Sequence, residues 1–211
     1  NEVVQKYLAN QLDIKNNMRV PRIEKIVLNV PFHPRCDKTM TIFGLGWSIV
    51  ELVKVTTGAG VVGVGETIQG YTWAHSGEAQ FDRVRGKNIF DFLWDDSLGA
   101  GLQMALFEAV AKTNGIPIHQ LLGHQVRQDT PVSWWSIDMP PEDWLSECRE
   151  ALAQGYVSYK FKARPWFDLE AQLATVTAEV PAHFEIDLDF NTMCCDSAHA
   201  VRVLRQLEQF Q

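Results

Sequence analysis

The sequence predicts two architectures in series: an α+β domain, then a parallel α/β array. Three observations carry this. Three β-rich runs precede a periodic helix in the part before about residue 125. After that point, strand-like and helix-like segments alternate at short, regular spacing, and such alternation folds into a parallel sheet with right-handed crossovers. The polar residues of the later strands also fall on one side, near the strands' C-terminal ends.

In the first part, residues 1–19 read as a polar, helical extension. "IEKIVLNV" (23–30) reads as a strand ended by "PFHP". Residues 31–46, with Pro31, Pro34, Gly44 and Gly46, read as a loop. "WSIVELVKVTT" (47–57), the turn "TGAG" and "VVGVGET" (61–67) form a hairpin signal. A polar segment follows. "GAGLQMALFEAVAKTNG" then places Leu102, Ala105, Leu106, Ala109 and Val110 on one helical face, with Asn114-Gly115 as its stop. A short helix in "IPIHQLLGHQ" ends at Gly123.

In the second part, strands are predicted at 130–137, 156–163 and 183–191, and helices at 140–155, 168–180 and 197–210. Prolines and acids open the first of these helices and Gly155 closes it. Strand side chains alternate, so Tyr156, Ser158, Lys160 and Lys162 share one face, opposite Val157, Tyr159 and Phe161. Likewise Glu185, Asp187, Asp189 and Asn191 oppose Phe184, Ile186, Leu188 and Phe190. Both faces of a parallel array are normally covered. A lysine pair placed there is costly unless acids on a neighbouring strand compensate. An edge strand with solvated lysines explains the pattern as well. The position of Lys160, Lys162, Asp189 and Asn191 at strand C-termini favours a site, because βα folds build their sites there.

The totals bound the function. The chain has 211 residues, 46% hydrophobic and 21% charged, so it can bury a core. A net charge of −7 and a pI near 5.3 argue against general nucleic-acid binding and against a polybasic membrane surface. The apolar-looking stretch 39–50 is too short to cross a bilayer, and the polar first residues are no signal peptide. Cys36, Cys148, Cys194 and Cys195 lack zinc spacing and read as reduced thiols of a cytoplasmic protein.

The motifs "IEKIVLNVPF", "VVGVGET", "ALFEAVAKTNGIPIHQLLG", "QDTPVSWW", "YKFKAR" and "IDLDFN", in this order, resemble the mandelate racemase/muconate lactonizing branch of the enolase superfamily. The resemblance runs over nearly all of the chain after residue 20. It implies an N-terminal extension (1–20), an α+β capping domain (21–126) and the first part of a TIM-like (β/α) barrel (127–211). It implies Mg²⁺, a small carboxylate substrate, and abstraction of the proton α to that carboxylate through an enediolate. It also implies a homo-oligomer. Charge developing on the substrate needs stabilisation as it forms, and superfamily sites use a Lys or His base with Mg²⁺. By resemblance Lys162 is the base, and Lys160 tunes it and contacts the carboxylate. Asp189 is a metal ligand, with Asp187 as runner-up, and Asn191 adjoins the substrate. Ser133 and Trp134 line the pocket, and His33 and Arg35 reach it from the capping loop. Glu66 is structural. Loops 31–46 and 67–80 set specificity.

Within the family, dehydration of an acid sugar is the leading expectation, with racemization, epimerization or cycloisomerization as alternatives. A non-catalytic relative and Schiff-base chemistry at Lys162 are further readings. Roughly 80 residues follow Thr130, whereas a complete eight-fold barrel takes about 200 or more. The chain is therefore expected to be a fragment of a longer enzyme, and inactive alone.

Overall fold

The computed structural model describes residues 2–42, 46–69 and 75–210. In chain order the elements begin with α1 (Glu2–Asn17), β1 (Arg22–Asn29), α2 (Pro34–Ile42), β2 (Ile49–Thr56) and β3 (Val62–Ile68). α3 (Glu78–Val84), α4 (Ala100–Asn114) and α5 (His119–Leu122) follow. The later part consists of β4 (Trp134–Trp135), α6 (Pro141–Ala153), β5 (Ser158–Lys162), α7 (Leu169–Thr177), β6 (Glu185–Asp189) and α8 (Ser197–Leu207). The chain divides into two compact units, 1–32 with 44–128, and 33–43 with 129–211.

In the first unit, β1, β2 and β3 form an antiparallel sheet in that order. β2 shows why one side is covered. Glu51, Val53 and Val55 alternate with less buried neighbours, and the buried set faces α4. α4 supplies the matching stripe of Leu102, Ala105, Leu106, Ala109 and Val110, all fully buried. Helix and sheet meet closely at Gly63 and Gly65. A Cβ on Gly63 would lie 2.0 Å from the Ala105 carbonyl oxygen, and one on Gly65 would lie 2.1 Å from that of Gly101. α4 ends at Gly115, in left-handed conformation (φ 64°), as its stop signal predicts.

Two sequence expectations change here. Residues 31–46 are not all loop, because 34–42 form α2. Its Cys36 and Met40 lie one turn apart and are both buried, so an apolar pair at helical spacing, short as it is, gives the element a buried side. The N-terminal extension is also not wholly apart. Met18 and Val20 join the core, and Val20 exchanges backbone hydrogen bonds with Lys87 (3.1 Å) and Gly86 (2.8 Å). The 67–80 loop contains the start of α3, whose Phe81 and Val84 are buried, while residues 70–74 lie outside the described residues.

In the second unit, β4, β5 and β6 are parallel and adjacent in that order. α6 and α7 cover the side that carries Tyr159 and Phe161, where Trp144 of α6 packs on Phe161 with ring centroids 4.0 Å apart. Pro141 opens α6, and the side chains of Asp168 and Asp196 cap α7 and α8 by accepting from Ala171 N–H (3.0 Å) and His199 N–H (2.8 Å). The described residues thus form a mixed α/β fold with one antiparallel and one parallel sheet, the α+β part preceding the βα units.

Candidate active site

β5 and β6 run in register, Lys160 opposite Asp187 and Lys162 opposite Asp189. Aligned residues of parallel strands point to the same side, so these four side chains share the face away from α6 and α7. The two lysines converge on one acceptor. Lys160 Nζ lies 2.8 Å and Lys162 Nζ 2.7 Å from the same Asp189 Oδ2. Lys162 also donates to Asn191 Oδ1 at 2.7 Å, and the Asn191 backbone N–H donates to Asp189 Oδ1 at 2.9 Å. Asn191 lies just past β6 at φ 44°, a conformation that asparagine tolerates better than most residues. That turn is what brings its amide back onto Lys162.

The two lysines differ in environment. The Lys162 side chain is 8% exposed and that of Lys160 41%. Asp189 is partly buried, which by itself pushes its carboxyl up. Hydrogen bonds from Lys160, then Lys162, then Asn191 N–H outweigh this and, with the Lys162 charge, hold it well below the usual carboxylate range. Asp189 is therefore an anion set between two cations, which offsets the repulsion that the K-x-K spacing creates. Asp187, on the same face opposite Lys160, balances the second ammonium, so the face carries paired charges; Lys160, the more exposed of the two lysines, is the cation an incoming anion can reach.

The other expected residues are distributed as follows. Asp187 is exposed, opposite Lys160. Ser133 lies at the far end of the array and hydrogen-bonds Ser158 (2.7 Å), two pleats below Lys162. Trp134 is a correction. It pairs in register with Tyr159, so it points to the helix side, and its indole N–H donates to Glu147 at 2.7 Å. Trp135, aligned with Lys160, shares the lysine face instead. His33 is exposed. It lines a cavity of about 600 Å³ with Arg35, Trp134 and Glu147, not the lysine site. Arg35 ion-pairs with Glu147 of α6 and stacks 4.6 Å from the Trp134 ring centroid. Glu66 is exposed on β3. Residues 43–45 of the specificity loop lie outside the described residues.

Sequence reasoning missed the Arg35–Glu147 pair. A signal was available, since Glu147 falls beside the apolar stripe of Trp144, Cys148 and Ala151 and is itself buried. A buried acid requires a donor. A second missed pair is Arg164–Asp138, where Arg164 Nε donates to Asp138 at 3.2 Å and the two side chains are 10% and 2% exposed. It ties the chain just after β5 to that just after β4.

The donor set is of the right kind for a magnesium ion, namely hard oxygen atoms from Asp189 and the Asn191 amide. Among the described residues no group of three or more His, Cys, Asp or Glu could hold a metal. Asp189 thus fits as one ligand of such an ion and not as a complete cage.

Comparison with family models gives no match. Among curated proteins, N-succinyl-L-Arg/Lys racemase of Bacillus cereus is 24% identical over 177 residues, 74% of this chain and 48% of that protein. Muconate cycloisomerase 1 of Rhodococcus opacus is 26% identical over 172 residues, 69% of this chain and 45% of that protein. The chain spans about half the length of these curated relatives. Among solved structures, the substrate-liganded L-Ala-D/L-Glu epimerase of Bacillus subtilis matches with TM-score 0.69 at 21% identity, over 91% of this chain and 58% of that one. A Mg-complexed dipeptide epimerase of Methylococcus capsulatus matches with TM-score 0.68 at 21% identity, over 92% and 58%. These four are a racemase, a cycloisomerase and two epimerases, and none is a dehydratase, so the expected acid-sugar dehydration finds no support among them. No helix among the described residues is long and apolar enough to cross a membrane. By sequence and by fold together, the chain is related to the mandelate racemase/muconate cycloisomerase branch of the enolase superfamily.

Proposed function

We propose that this chain carries the β5–β6 half of an isomerase site, one that racemizes, epimerizes or cycloisomerizes a small carboxylate through removal or delivery of the proton α to the carboxylate. The observation that carries the reading is the convergence of Lys160, Lys162 and Asn191 on Asp189 at the C-terminal ends of adjacent parallel strands. The relatives support an isomerase over a lyase.

In this reading Lys162 Nζ holds and moves the proton. Its side chain is largely buried, and the hydrogen bonds to Asp189 and Asn191 fix the direction of its amine. Lys160, with more solvent contact, offers its ammonium to the substrate carboxylate. A magnesium ion with Asp189 among its ligands would supply charge stabilisation for the enediolate oxygens.

The test is exchange of the α-proton with deuterated solvent, followed by NMR, in the whole protein with L-Ala-L-Glu and N-succinyl-L-lysine as substrates. Lys162→Ala should lower exchange by about 10²–10⁴-fold, the usual size of an acid–base contribution. Retention of wild-type exchange in that variant would overturn the reading. Trapping of a carbonyl substrate by borohydride at Lys162, without metal dependence, would favour Schiff-base chemistry instead.

A further inference from the structure

We infer that Arg35 and Glu147 act as a register lock on β4, holding Trp134 against the helix layer and thereby placing Trp135 as the aromatic wall of the lysine site. The part that concerns the site rests on the proton-transfer reading above. The lock itself does not.

β4 is two residues long, and both residues are tryptophan. Sliding a strand by one residue exchanges its two faces. With Trp at both positions, size and hydrophobicity hardly distinguish the registers, so polar contacts must choose. Trp134 has them. Its indole N–H donates to Glu147 Oε2 at 2.7 Å, and the Glu147 side chain is only 9% exposed. The same oxygen receives the Arg35 guanidinium, which also covers the Trp134 ring at 4.6 Å. Both Arg35 terminal nitrogens lie 3.4 Å from the Trp135 carbonyl oxygen. Slipping β4 would take the indole donor away from a buried carboxylate and strip the guanidinium of its ring. Next along the chain, Ser136 hydrogen-bonds the Tyr159 hydroxyl, which favours the same register.

Two consequences follow. Arg35 and Glu147 are positioning residues, acting on the site only through Trp135. The substrate group beside the carboxylate meets an indole alongside Lys160, so the site takes a carboxylate bearing an apolar or planar substituent.

The experiment uses the full chain labelled with 5-fluorotryptophan, with the ¹⁹F resonances assigned by Trp134→Phe and Trp135→Phe. In the wild type, Trp134 should show little solvent-isotope shift. Trp135 should show a measurable one and should move on titration with phenylsuccinate. In Arg35→Ala and Glu147→Gln, Trp134 should acquire a second, solvent-shifted resonance holding at least a tenth of the population. Amide exchange over 33–43 should rise at least ten-fold. Arg35→Lys, which keeps the charge without the planar stack, should restore the ion pair in part and give an intermediate population. Unchanged Trp134 resonances in both Arg35→Ala and Glu147→Gln would overturn the lock. Should Glu147→Gln fail to fold, Arg35→Ala decides alone, since Arg35 is partly exposed. If the wild-type Trp135 does not respond to phenylsuccinate while the lock variants behave as expected, the lock stands and the assignment of Trp135 to a carboxylate site is lost.

Discussion

At the residue scale, the spacing of Lys160 and Lys162 stated a problem that the structure resolves in one atom, Asp189 Oδ2. The sequence could place both lysines on one face and the acids on another strand, because alternation fixes faces. It could not show that β5 and β6 are neighbours in a register that sets Lys162 opposite Asp189, which depends on three-dimensional pairing. Nor could it choose between Trp134 and Trp135, since that choice rests on Glu147 and Arg35, far away in the chain. The cysteines give a sharper contrast. Burial, and to a lesser extent the Glu147 charge, pushes the Cys148 thiol up to about 12, and burial likewise raises that of Cys36. Cys195 is exposed and Cys194 half-buried. A raised thiol pKa keeps the folded protein's thiol neutral while the unfolded thiol ionises above about 8.5. Cys148 therefore stabilises the fold fully below that value and progressively less as pH rises towards 12. At pH 8, dithionitrobenzoate should titrate Cys195 and Cys194 in the native protein, and Cys36 and Cys148 only after urea is added. Fast native reaction at Cys148, mapped by mass spectrometry, would contradict the burial.

At the element scale, long periodic segments were the legible ones. α4 and the α6–β5–α7–β6–α8 succession follow from apolar spacing, caps and breakers. α2 was not legible, because Pro31, Pro34, Gly44 and Gly46 look like a loop and only Cys36 and Met40 form its buried pair. β4 shrank from an eight-residue run to two paired residues, flanked by Ser133 and Ser136, which hydrogen-bond the side chains of Ser158 and Tyr159. The glycines of "VVGVGET" looked like a motif; structurally they are the space in which α4 lies on β3. Gly63→Ala brings a methyl carbon to 2.0 Å from the Ala105 carbonyl oxygen and 2.6 Å from Ala109 N. Both atoms are backbone within a helix and cannot swing away. The helix must lift, breaking contacts of a fully buried face. We expect a loss of about 1–3 kcal/mol or more, the usual range for overpacking. It should appear as a lower urea midpoint with little change in m-value. An unchanged midpoint would mean that the helix does not lie this close.

At the scale of the whole molecule, the charge balance opposes the site, and magnitudes decide which wins for an anionic ligand. The chain carries −7 overall, while the lysine face sets two cations on Asp189, with the exposed Asp187 beside Lys160. A unit charge about 4 Å from a ligand charge contributes about 4 kcal/mol at an effective dielectric of 20, whereas one about 20 Å away through water contributes about 0.2 kcal/mol. Even all the surplus acids together fall below one lysine. At 0.1 M salt the Debye length is about 10 Å, so the distant repulsion is already screened. The remaining salt dependence should come from Lys160, the more exposed of the pair. Binding of phenylsuccinate, followed by calorimetry, should therefore weaken several-fold between 0.05 and 0.5 M NaCl, and Lys160→Met should flatten that dependence as well as lower the affinity. Tightening with salt would show that the acidic surface, and not the lysine pair, governs the approach of the anion.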